Sequence, residues 1–281
     1  MANHLKNIFV GAGSVITKTP DAVSMIDGTH WMGAVYGIEK ILGVTDNPVR
    51  RTFNHAGDIL AEQFKKSKLK TQIKYIMTVM DKGEVAGLFI GDREEFAEAA
   101  KLSQELNITT LDAPLQRVVV YADPDEFHST WVANKAVYRT RMAIADGGEL
   151  LIVAPGLKRF GEEEVDDRLI REHGYRGTKV IKPIFEGDAR LREYLSAGAH
   201  LIHGSSEDRF SITYAPGHLN HEEIEGVGYG YCDLSELTSW MPDGFSYNTL
   251  ANKEEGTYKG KDGQPFYLIL KPGQGLWKLA S

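Results

Sequence analysis

Cysteine is almost absent. Cys232 stands alone among 281 residues, which excludes a disulfide within the chain and suits a reducing compartment. Long hydrophobic runs are missing as well. No apolar stretch nears the roughly eighteen residues that a bilayer span requires, and no secretory-signal pattern opens the sequence. The expectation is a cytoplasmic protein with no membrane partner. Positive charge is not in excess: 32 Lys and Arg face 39 Asp and Glu, a net of −7 at neutral pH. Nucleic acid is therefore not expected as a partner, because phosphate binding needs a basic face. The single basic cluster, Lys65 to Lys70, reads as a solvated helix end. Internal repeats and low-complexity tracts are not seen.

What remains is ordinary globular composition, with 42% hydrophobic and 25% charged residues in a chain long enough to bury a large core. The pattern of segments indicates an α/β protein: two α/β lobes with mostly parallel sheets and a small β-rich C-terminal closure. Asp112-Ala113-Pro114 marks the boundary, giving lobes 1–112 and 113–281. Ile8 to Thr17 reads as strand, glycine turn, strand. It opens like a dinucleotide fingerprint at Gly11 and Gly13, but Ile16 holds the third glycine position. Asp21 to Gly28 looks like a short buried strand feeding a loop. Tyr75 to Met80 and Glu84 to Ile90 predict a hairpin, and Arg93 to Leu106 a helix. Arg117 to Asp123 is a near-continuous apolar run of the kind buried in a parallel sheet. A helix over Thr130 to Ala145 and a strand over Glu149 to Ala154 complete a βαβ unit. Helices follow at Gly161 to Gly174 and Asp188 to Gly198, then strand PFYLIL in the tail.

The stretch GTHWMGAVYGIEKILGVTDNPVRRTFNH, Gly28 to His55, concentrates the chemistry. It places His30, Lys40 and His55 among glycines and aromatics, a set suited to acid/base work, covalent tethering or metal binding. Asn47-Pro48 predicts an N-cap and first helical residue. Val49, Phe53, Ala56, Leu60 and Phe64 then recur at helical spacing. His55 lies roughly 200° from Phe53 and so sits off that stripe, with Asp58 placed to orient its imidazole. Tyr36 and Lys40 match a Tyr-x-x-x-Lys pair, but too close to Gly13 to be the pair of a dehydrogenase. Lys135 falls on the stripe Trp131, Lys135, Tyr138, Met142, where its stem can pack while the ammonium reaches water. His200 and His203 fall on a strand-like segment that would send them to opposite sides, so a shared metal is not expected. His218 and His221 read as polar surface residues.

The run from His30 through Lys40 to Asn54-His55 resembles the core motif of the lactate racemase family: a histidine, a small-residue loop ending in lysine, and an Asn-His pair on a helix. The resemblance continues through Ile76 to Asp92 and past Lys135 to Gly147-Gly148, covering most of residues 20 to 156. It implies a racemase or epimerase of 2-hydroxy acids, lactate-like or aldonic, working by hydride transfer to a nickel-pincer nucleotide. It also assigns roles. Lys40 would tether the nucleotide, His55 ligate nickel, His30 act as one of two proton-transferring histidines, and Lys135 bind the substrate carboxylate. The pattern departs at Gly37-Ile38-Glu39-Lys40, where the family has Gly-Gly-x-Lys, and at Val132, where it has glutamine. The family's first histidine and phosphate-cradling loop have no counterpart, so an N-terminal companion segment is an expected partner. The rival readings are a non-catalytic homologue that binds a small acid or nucleotide, and a nicotinamide-dependent oxidoreductase built on Gly11.

Overall fold

A computed structural model describes residues 20–66, 74–81 and 83–280, so the turn expected at Gly11 and Gly13 lies outside the described residues. Two compact units divide the chain, Met1–Ile108 and Thr109–Ser281. Among the described residues, no helix is long and apolar enough to cross a membrane.

The first unit begins with α1, Pro20–Tyr36, followed by a 3-10 turn, Ile38–Lys40, and α2, Pro48–Lys66. The strand expected over Asp21 to Gly28 is helix instead. Its apolar residues lie all round the helix rather than on one stripe, so no helical period shows in the sequence. The start of α2 matches the expectation: the Asn47 side chain accepts from the Arg50 amide at 2.9 Å, and Pro48 fills the position that needs no donor. The hairpin is also present. β1, Tyr75–Asp81, pairs antiparallel with β2, Glu84–Gly91, through a bulge at Val79 and Met80. One face of it packs Met77 and Val79 against Ala99, Phe96 and Leu102 of α3, Arg93–Asn107.

The second unit is built on a six-stranded sheet ordered β7-β6-β5-β4-β9-β8. Its members are β4, Leu115–Tyr121; β5, Ile144–Ala154; β6, Ser211–Pro216; β7, Gly230–Tyr231; β8, Gly256–Lys259; and β9, Pro265–Ile269. All neighbours are parallel except β8 and β9. Val118, Val119 and Val120 are fully buried, which is why a sheet covered on both faces reads as an unbroken apolar run. On one face Val119, Val153 and Ala215 meet Leu237, Met241, Phe245 and Phe266. The chain is thus a mixed α/β protein with mostly parallel pairing. The small β-rich C-terminal closure is present as β8 and β9, and β9 pairs beside β4 as part of the main sheet. β10, Leu276–Leu279, pairs with β3, Ile108–Leu111.

The helix expected over Thr130 to Ala145 is two pieces, α4, Thr130–Ala133, and α5, Lys135–Thr140, with β5 already under way at Ile144. Further on come α6, Glu164–His173; α7, Thr178–Gly187; α8, Ala189–Glu193; and α9, Leu195–His203. The single helix expected over Asp188 to Gly198 is therefore α8 and the start of α9. His200 and His203 lie on α9 rather than on a strand, and their rings meet edge-on at 6.4 Å on one side of it. The α9 sequence is so apolar that it resembles a buried strand.

Candidate functional site

His30 sits on α1, half-buried and already engaged by a neighbour, not on the expected loop. Three residues on, Gly33 lies close against the end of the 3-10 turn and the start of α2: a Cβ there would be 3.4 Å from Ile41 and 3.8 Å from Val49. From α2, the Thr52 hydroxyl meets the Met32 sulfur at 3.7 Å. His55 is three residues beyond Thr52, so His30 and His55 each stand about one turn from a residue in the contact between these two helices. Lys40 closes the 3-10 turn that leaves α1 through Gly37, whose φ of 106° favours glycine. Its ammonium is exposed and lies 5.4 Å over the Tyr36 ring. Among the described residues neither the Lys40 ammonium nor the His55 imidazole has an ion pair or hydrogen bond to another side chain. The expected orienting contact, a His55 ring N–H donated to the Asp58 carboxylate, is therefore not made.

Lys135 belongs to the second unit. α4 and α5 are anchored from beneath by buried tyrosines. Thr130 Oγ1 is 2.7 Å from the Tyr175 hydroxyl, and Asn134 Oδ1 accepts from Tyr214 at 2.8 Å and Tyr229 at 3.0 Å. Burial pushes the pKa of all three phenols well up, so they stay protonated donors or acceptors. From that base Lys135 points its ammonium to 3.5 Å from Glu126 and 5.7 Å from the Phe127 ring centroid. Its stem borders Gly273, where a Cβ would lie 3.3 Å from Glu126 and 3.9 Å from Lys135. Glu126 follows the carboxyl end of β4, and Gly273 that of the adjacent β9. From β4 the chain works outward through β5, β6 and β7, then returns to place β9 on the other side of β4. Lys135 thus stands at the carboxyl ends of the strands, where the strand order reverses, the place at which open α/β sheets bind ligands.

The sequence did not reveal what faces that lysine's helix. Trp131 stacks on His200 at 3.5 Å, and Tyr138 lies 6.0 Å from His203. The signal was present as a histidine pair at i, i+3, hidden by the strand-like composition around it. His128, near the same loop, bonds the Pro124 carbonyl at 2.8 Å. His221 is exposed, with its Nε2 2.9 Å from the Glu225 carboxylate at the surface.

No protein-family model matches the chain, and no curated protein matches it. Among solved structures, it is similar to a Thermotoga maritima protein of a structural genomics programme, with TM-score 0.67 and 24% identity, covering 91% of this chain and 59% of that one. It is also similar to the lactate racemase apoprotein from Thermoanaerobacterium thermosaccharolyticum, with TM-score 0.55 and 15% identity, over 84% of this chain and 50% of that one. At such identities the likeness establishes the fold. The chain spans between half and three-fifths of the length of these relatives.

Proposed function

We propose that the chain takes part in racemisation or epimerisation of a small 2-hydroxy acid, with a nickel-pincer nucleotide held in its first unit. The observation that supports this reading best is Lys135: a half-buried ammonium at the ligand-binding end of a parallel sheet, faced by a carboxylate. On this reading a substrate carboxylate would replace Glu126 beside the Lys135 ammonium. The distant likeness to a lactate racemase is consistent with the same chemistry.

The residues present suit the cofactor. Lys40 is an exposed primary amine with no acidic partner among the described residues, as a covalent tether requires. His55 offers an exposed imidazole, a donor suited to nickel alongside sulfur. When bound, the group supplies a reversible acceptor for the C2 hydrogen and its electron pair. The chain does the rest. The Lys135 ammonium orients the acid by a charge-assisted hydrogen bond to its carboxylate. An imidazole nitrogen of His30 takes the proton of the C2 hydroxyl and returns it. Because the antipodes present that hydroxyl at different places, one histidine serves one of them, and an N-terminal companion segment would supply the other base.

Two measurements test the reading. Intact-protein mass spectrometry of chain made with the nickel-pincer maturation enzymes should show an adduct on the Lys40 peptide, absent in Lys40→Ala; a clean peptide counts against it. Chiral chromatography of one enantiomer should show interconversion slower without the companion segment by about 10²–10⁴-fold. Brisk interconversion by this chain alone would overturn the one-histidine mechanism and direct attention to His128.

A further inference from the structure

A second place in the Thr109–Ser281 unit gathers metal-ligand atoms from residues that the proposed function does not use. Glu172 and His173 end α6, and Asp188 is the N-cap of α8. His173 Nε2 lies 3.4 Å from Asp188 Oδ2 and 4.0 Å from Glu172 Oε1. All three atoms fall within 4.8 Å of one another. Donors held about 2.0–2.2 Å from one tetrahedral ion are themselves roughly 3.3–3.6 Å apart, so the His173–Asp188 pair already has that spacing and the Glu172 carboxylate would have to close in.

His173 separates this cluster from an ordinary acidic patch. Its side chain is only 10% exposed, and Nε2 makes no hydrogen bond among the described residues, since Asp188 is near but poorly aligned. A buried imidazole nitrogen left in this way costs free energy that a ligand would recover. A cation already stands beside it. Arg190 Nη2 lies 2.6 Å from Glu172 Oε1 and 2.6 Å from Asp188 Oδ2, the two oxygens nearest His173. The guanidinium donates hydrogen bonds to both carboxylates, holding their oxygens together beside the imidazole. A guanidinium can neutralise the carboxylates, but it has no acceptor or ligand bond to offer the imidazole. Arg190 is 48% exposed, so a guanidinium displaced from the two carboxylates would pass into water. The C-terminal end of α6 adds its own partial negative charge.

We infer that Glu172, His173 and Asp188 form a binding site for a divalent transition metal of the zinc class, with Arg190 as the stand-in cation that the metal displaces. One imidazole and two carboxylates suit zinc and its neighbours better than magnesium or calcium, which take oxygen ligands. This inference does not depend on the proposed function.

The test is calorimetric titration of the full chain with Zn²⁺ alone, in a His55→Ala background so that the proposed nickel ligand does not contribute. One Zn²⁺ should bind. His173→Gln and Asp188→Asn should each weaken it by roughly tenfold or more, whereas Arg190→Ala should tighten it by a similar factor. Circular dichroism melting identifies any variant that fails to fold, and Glu172→Gln, at a half-exposed position, then serves in its place. Crystals soaked in Zn²⁺ should give an anomalous peak beside His173 Nε2. If Arg190→Ala lowers the melting temperature without tightening zinc, the cluster is an ion-pair network and the inference fails. Equal zinc binding by His173→Gln and its parent would also overturn it.

Discussion

Lys135 and Glu126 form a half-buried pair in which charge, rather than the lysine stem, should decide ligand binding. Lys135→Met keeps the stem and removes the charge. It should weaken binding of a 2-hydroxy acid by about ten- to a hundredfold, the equivalent of one charge-assisted hydrogen bond, at little cost in melting temperature. Glu126→Gln removes the internal competitor and should tighten binding in the same calorimetric assay. Normal binding by Lys135→Met with a lower melting point would mean that the lysine only packs. At this scale the sequence was half legible. Lys135 stood out on its stripe, as did His30, Lys40 and His55 in their glycine-rich run. Glu126 did not, because a loop nine residues earlier has many paths and only tertiary packing selects one. Gly273, in the tail, reaches the same place only through the pairing of β9 with β4.

At the scale of elements, the segments that leave the carboxyl ends of β5 and β6 pass unusually close to each other. A Cβ on Gly217, after β6, would lie 1.8 Å from the Pro155 carbonyl oxygen, after β5. Backbone cannot give way there as a side-chain tip can, so Gly217→Ala should destabilise the second unit by about 1–3 kcal/mol or more. Gly226→Ala, with nothing within 4 Å of the added carbon, is the matched control in a denaturant melt. The elements themselves were readable where one period dominated: the valine run of β4, the capped start of α2, the β1–β2 hairpin. They were misread where the sequence carries no polar stripe. α1 and α9 are apolar on most sides, and a helix without a polar face carries no period to distinguish it from a strand. The break between α4 and α5 was also invisible, because it is set by the hydrogen bonds that Asn134 accepts from tyrosines 80 and 95 residues away.

For the molecule as a whole, alternating strands and helices were enough to indicate a mostly parallel α/β fold. The placement of the tail was not, since β8 and β9 form a local hairpin that could have stood by itself. Its insertion beside β4 has a consequence for synthesis. Val118, Val119 and Val120 register against Tyr267, Leu268 and Ile269, so this buried valine strand keeps one bare edge until β9 has been translated long after it. Nascent chains that stall before β9 would offer that edge to one another. A chain ending at Gln264 should accordingly sediment as aggregate while the 281-residue chain stays in the supernatant. Adding the missing segment later as a separate peptide should rescue little, because by then the edges have paired with each other.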